Sequence, residues 1–102
     1  MNKRRYKIRF LSSFSDELNE ILYYIAFILK NQNAAERLLD DVMNSIQNRS
    51  NNPEGYEIYK EDRKYDWYRI YIRNFVVFYI VRDNVMEVAH IIYSARIMEE
   101  LI

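Results

Sequence analysis

Trp67-Tyr68-Arg69-Ile70-Tyr71-Ile72-Arg73 is the stretch of this 102-residue chain in which cations and rings stand close enough to work together. Its alternation is that of a β-strand, which sends Tyr68, Ile70 and Ile72 to one face and Trp67, Arg69, Tyr71 and Arg73 to the other. Interleaved cations and rings can clamp phosphates while stacking on bases. The same pattern also suits an exposed sheet face, or one that docks a protein. Further along, Tyr93 and Arg96 flank the expected junction between the last strand and a closing helical stretch. There a tyrosine can transfer a proton or stack on a base, and equally can pack the last turn onto the sheet. Lys60, Arg63 and Lys64, in the polar connection before the strand, add cations. His90, the single histidine, titrates in the range that acid–base work near neutrality requires, although a lone strand histidine is commonly just hydrogen-bonded. Asp40-Asp41 and Glu61-Asp62 are adjacent carboxylates with no second cluster and read as solvated. One histidine and no cysteine leave no basis for a histidine-cluster or thiolate metal site, a disulfide or a thiol nucleophile. No cofactor is expected.

The formal net charge is zero, but the charges are sorted along the chain. Lys3, Arg4, Arg5, Lys7 and Arg9 make the first dozen residues purely basic, residues 13–46 are acidic on balance, and the remainder is nearly neutral. Overall neutrality argues against a sequence-blind nucleic-acid binder, whose affinity comes largely from phosphate neutralisation. The basic start can serve a local site or keep a sheet edge from aggregating. The longest apolar runs, Phe75 to Val81 and Ala89 to Tyr93, fall far short of the roughly 18–20 residues that span a bilayer. The N-terminal bases precede no apolar stretch and so do not form a secretory signal; a cytoplasmic protein is expected.

The elements that must position these residues follow from periodicity. Tyr6 to Leu11 reads as a short strand with Tyr6, Ile8 and Phe10 on one face. Ser12 and Ser13 offer N-cap oxygens for a helix whose apolar stripe, Phe14, Leu18, Ile21, Leu22, Ile25, Ile28 and Leu29, runs at spacings of three and four. After the polar break Lys30 to Asn33, Asn33 with Glu36 has N-cap and N3 character, and Ala35, Leu38, Leu39, Val42 and Ile46 form a second stripe. So short a connection predicts an antiparallel helical hairpin. Pro53 and Gly55, the only ones of their kind, end the helical pattern, and Tyr56, Ile58 and Tyr59 are candidates for a short edge strand. Turns at Asn74 and at Arg82-Asp83-Asn84 then separate three strands, of which Phe75 to Val81, continuously apolar, is expected at the centre. Val85 to about Tyr93 is the last strand, and Ser94 to Leu101 a short helix. The sum is one α+β domain over residues 1–102: strand, helical hairpin on one sheet face, three-stranded antiparallel meander, closing helix.

That order, read with Tyr68-Arg69-Ile70-Tyr71-Ile72-Arg73-Asn74-Phe75-Val76-Val77-Phe78-Tyr79, with Ala34-Ala35-Glu36-Arg37-Leu38-Leu39, with Asn52-Pro53 and with Val88-Ala89-His90-Ile91-Ile92-Tyr93-Ser94-Ala95-Arg96, resembles the RelE/ParE superfamily of bacterial toxins over nearly the whole chain. The resemblance implies the toxin of a type II toxin–antitoxin system, held inactive by a cognate antitoxin and growth-arresting when freed. It implies one of two activities. RelE-like members cut messenger RNA on the ribosome with cations and a proton acceptor on the open sheet face, as the phosphorane transition state requires; Arg69, Arg73, Tyr93 and Arg96 are the positions here to which such roles carry over. ParE-like members act by binding DNA gyrase and need no catalytic set. The chain departs from the RNA-cutting pattern at Val76, where those members carry Arg, and at Tyr93, where many carry His; His90 lies three residues earlier. A third possibility is a degenerate member that keeps only antitoxin binding and a regulatory role. The basic stretch Lys3 to Arg9 implies that the antitoxin segment folding onto this domain is acidic.

Overall fold

The computed structural model describes residues 6–62 and 64–95. Strand β1 (Lys7–Phe10) leads into helix α1 (Ser12–Tyr23), which continues as a π-helical turn (Tyr24–Ile28) before helix α2 (Gln32–Arg49). Strands β2 (Lys60–Glu61), β3 (Asp66–Ile72), β4 (Phe75–Arg82) and β5 (Val85–Tyr93) follow. The sheet order is β1-β5-β4-β3-β2, with β1 parallel to β5 and every other pair antiparallel. The expected α+β architecture holds, with the meander β3-β4-β5 forming the middle of the sheet. The short closing helix expected over Ser94 to Leu101 begins at Ser94 and Ala95, and its remainder lies outside the described residues, as do Lys3 to Arg5.

Both helices pack on one sheet face. Phe14 and Leu18 of α1 and Leu38, Val42 and Ile46 of α2 are buried against Tyr68, Ile70, Ile72, Val77, Tyr79, Met86, Val88 and Ile91. The expected stripe on α1 is buried only over its first half. Ile21, Leu22 and Ile25 are partly covered, while Ile28 and Leu29 stay 58% and 56% exposed. In the wide turn the Leu29 N–H donates to the Tyr24 carbonyl, five residues back, which rotates the stripe away from the sheet.

Several local devices differ from the expected ones. Neither Ser12 nor Ser13 caps α1: Leu11 holds the cap position, with no side-chain bond. The Ser13 hydroxyl instead donates to the Ala89 carbonyl at 2.6 Å. The cap of α2 is Asn31 rather than Asn33, its side chain accepting from the Ala34 N–H. Tyr56 to Tyr59 form no strand; the edge pairing is made by Lys60 and Glu61 opposite Trp67 and Asp66. Position 56–59 is shaped by side chains instead. Arg49 lies 3.5 Å over the Tyr56 ring and donates to the Tyr79 hydroxyl and the Arg69 carbonyl. The fully buried Tyr79 hydroxyl donates in turn to the Pro53 carbonyl at 2.6 Å.

The turn at Asp83-Asn84 has both residues at positive φ (52° and 62°), the tight hairpin form that short Asp and Asn side chains accept. The β3–β4 turn places Arg73 at φ 54°, a conformation that a long side chain adopts only where its surroundings hold it. A bulge on β5 also shifts the register: Phe78 faces His90 but Tyr79 faces Val88, so Ala89 is the extra residue. Strict alternation would send Val88 and His90 to the same face. The bulge keeps Met86, Val88 and Ile91 on the helix side and turns His90 to the opposite, open side.

Candidate functional site

The strands contribute alternate side chains to the open face of the sheet, with the β5 bulge breaking the alternation between Glu87 and His90. Trp67, Arg69 and Tyr71 come from β3, Val76, Phe78, Ile80 and Arg82 from β4, Glu87 and His90 from β5, and Arg9 from β1. Its centre is apolar, with Val76 2% and Phe78 8% exposed. Phe78 is covered by Tyr59, whose ring lies 5.1 Å away. Tyr59, Lys60, Trp67, Phe78 and His90 line a shallow cavity of about 300 Å³.

Three arginines around this face, Arg9, Arg69 and Arg82, are engaged by neighbours. Arg69 lies 4.8 Å from the Tyr59 ring and 5.4 Å from the Tyr71 ring, held between two π-faces. Arg9 and Arg82 converge on Glu87, at 3.3 and 2.8 Å. That carboxylate is 4% exposed, so its burial depends on the two guanidinium groups. Bonding to the Tyr65 hydroxyl and to Glu87 raises the Arg82 pKa, so that the guanidinium is held still more firmly protonated than usual.

Arg73, expected on this face beside Arg69, turns away from it. Its left-handed turn conformation sends the guanidinium toward α2, where it forms a two-nitrogen contact with Asp41, Nε at 2.8 Å and Nη2 at 2.6 Å. Asp41, expected to be solvated, is therefore paired. Tyr93 also lies elsewhere. As the register partner of Phe75 it stacks edge-on with that ring at 5.8 Å, on the helix side of the sheet. Lys60 reaches the open-face cavity and Lys64 is exposed between β2 and β3; Arg63 and Arg96 lie outside the described residues. Of the candidate catalytic residues Arg69, Arg73, Tyr93 and Arg96, the described three thus occupy three separate places.

His90 has a partner that the sequence did not offer. Its Nδ1 is 3.1 Å from Oε1 of Glu17 on α1, and the same oxygen accepts the Ile91 N–H at 3.2 Å. The pair belongs to a larger arrangement. Beyond Phe10 the strand β1 no longer covers the edge of β5, and α1 takes over: the Leu11 N–H donates to the Val88 carbonyl, Ser13 to the Ala89 carbonyl, and Glu17 accepts from Ile91. The helix thus satisfies backbone groups that an absent strand would otherwise pair. Glu17, Asp41, Tyr59 and Glu87 were not singled out from sequence as individual site residues. Only Glu87 carried a signal, as an acid amid the apolar run of a central strand.

A helical hairpin on one face of a five-stranded sheet, with an open face of rings and paired charges, makes a small α+β architecture. The family model described as the ParE toxin of the type II toxin–antitoxin system, parDE, matches residues 8–98. The chain belongs to this ParE toxin family and is the toxin component of a type II system, and a cognate antitoxin is its partner. No curated protein matches the sequence. Among solved structures, a chain of the chromosomal ParDE toxin–antitoxin system from P. aeruginosa superposes with a TM-score of 0.68 at 12% identity, covering 87% of this chain and 96% of that one. At that identity the likeness bears on the fold alone. Among the described residues no helix is long and apolar enough to cross a membrane.

Proposed function

We propose that residues 1–102 act as one domain that arrests growth in the cytoplasm by binding a protein target, DNA gyrase, and not by cutting RNA. The observation that supports this reading is the scattering of the candidate catalytic side chains: Arg69 is held between Tyr59 and Tyr71, Arg73 is drawn onto Asp41, and Tyr93 lies on the other side of the sheet. Phosphoryl transfer needs cations converging on the developing charge. The described part of the open face offers an apolar centre and an internally neutralised Arg9–Glu87–Arg82 group instead. Binding needs only complementary shape and a few buried anchors, so the reading calls for no cofactor, metal or ribosome. Membership of a toxin family favours it over a chain reduced to antitoxin binding.

The test uses the purified toxin with two substrates in parallel. Inhibition of gyrase supercoiling with ribosome-bound messenger left intact is the expected result. Messenger cleavage that falls by about 100-fold or more in Arg69→Ala or Arg96→Ala, as for a lost transition-state donor, overturns it.

A further inference from the structure

The tip of the helical hairpin exposes a cluster of large apolar side chains. Tyr23, Tyr24, Phe27, Ile28 and Leu29, neighbours in sequence, are each between 53% and 62% exposed. Together they present roughly 500 Å² in one place, in the upper range of the largest apolar patch on an ordinary monomer. This exposure is built into the backbone. Periodicity assigns Ile28 and Leu29 to the stripe that faces the core, and the π-helical turn Tyr24–Ile28 swings them out of it; such turns recur at functional positions.

Beside the patch the Tyr23 and Phe27 rings stand 5.0 Å apart as a ridge. They also border a recess of about 310 Å³ between the two helices, whose lining includes the small side chains Ala26 and Ala35, one from each arm of the hairpin. Ridge and recess thus lie side by side on one surface, which is the arrangement a two-fold contact between identical chains uses, each copy giving the ridge and receiving it. The charges fit the same symmetry. Lys30 is exposed about one turn beyond Phe27, Glu36 is exposed on the recess, and neither is in an ion pair with a described residue. With the recess walls added, the surface approaches the ~800 Å² that each partner of a stable complex buries. Exposed Glu20, Glu36 and Asp40 near the tip disfavour an anionic lipid surface as the occupant.

We propose that two copies of the free toxin pair through their hairpin tips, each seating its Tyr23–Phe27 ridge in the other's recess and bringing its Lys30 to the partner's Glu36. The hairpin lies on the face of the sheet opposite the open one, so the paired form leaves the open face accessible.

Sedimentation velocity of the purified full-length toxin, without antitoxin, tests this over concentrations up to about 200 μM. A dimer is the expected result. Phe27→Asp, at an exposed position where circular dichroism and melting should stay unchanged, weakens it by at least about 30-fold, as for the loss of a central anchor. Lys30→Glu and Glu36→Lys each weaken it by about tenfold through like-charge contact, and the Lys30→Glu, Glu36→Lys double variant regains the original constant because the pairs re-form with reversed sign. A chain that stays monomeric over the whole range overturns the proposal. So does a dimer that Phe27→Asp leaves intact, which places the contact elsewhere, or a monomer that partitions onto phosphatidylcholine–phosphatidylserine vesicles through the tip, which assigns the patch to a lipid surface.

Discussion

The two faces of the sheet bury comparable strand residues by different means. On the helix side, Val77, Tyr79, Met86 and Val88 are covered by two regular elements whose stripes present Phe14, Leu18, Leu38, Val42 and Ile46. On the open side, Phe78 and Ile80 reach 8% and 7% exposure with no helix above them among the described residues; a single tyrosine from the β2 approach and an Arg9–Glu87–Arg82 group supply the neighbouring cover. A covering helix is one cooperative unit, whereas rings and ion pairs act singly and can be exchanged for a partner's side chains. The open side is therefore the face on which a binding surface can change without unfolding the protein.

The largest expected effect is on the helix side. Ile46→Ala, at a position with no exposed surface, should cost about 2–5 kcal/mol in urea unfolding. Leu39, expected to be a core position, is only partly buried, and its truncation should cost less than that of Ile46. Next comes the polar link between the faces. Tyr79→Phe deletes the donor to Pro53 and the acceptor for Arg49, an expected loss of about 1–3 kcal/mol.

The same tyrosine predicts a pH dependence. Burial raises the hydroxyl pKa of Tyr79, against the opposing pull of Arg49, and burial and nearby carboxylates raise that of Tyr68. Both favour the protonated form in the folded state. Their contribution is complete below the ordinary tyrosine value of about 10 and is lost as pH rises beyond it, because the unfolded chain then releases protons that the native one retains. Melting followed from pH 8 to about 11 should show the decline, and Tyr79→Phe should make it shallower.

On the open side, Glu87→Gln should cost about 1 kcal/mol, since both arginine partners are substantially exposed. High salt should narrow the difference from the unmodified protein. The smallest effect is expected for Arg73→Ala. Its pair with Asp41 is exposed on both sides, so the change should be below about 0.5 kcal/mol. A loss at Glu87 equal to that at Ile46 would show that the two faces are covered equally firmly.

What was legible in the sequence divides along the same line. The stripes of α1 and α2, the alternation of β3, the apolar run of β4 and the turn at Asp83-Asn84 are local signals, and each element forms where its pattern lies. The open face depended on features with no local period. The Ala89 bulge decides which way His90 points, and the positive φ of Arg73 removes that cation from the face its spacing assigned to it. Glu17 reaches His90 only because α1 lies along the edge of β5, a proximity across 73 positions of sequence. The cap of α2 moved by two residues, from Asn33 to Asn31, because the two asparagines offer the same chemistry, whereas α1 starts at Leu11 with no side-chain cap because Ser13 bonds to Ala89 instead.

The pairing of β1 with β5 also bears on synthesis. Lys7 to Phe10 are hydrogen-bonded beside Val85 to Val88, and Arg9 meets Glu87 across 78 positions. The strand made first can therefore find its place only after nearly the whole sequence has left the ribosome. Contacts of such separation slow folding, and until β5 arrives α1 has no strand edge to complete. A growing chain can form its helical hairpin early, yet it remains an unfinished toxin. The interval between the start of translation and the closing of the sheet is time in which an antitoxin already present can meet the chain before it is competent to act.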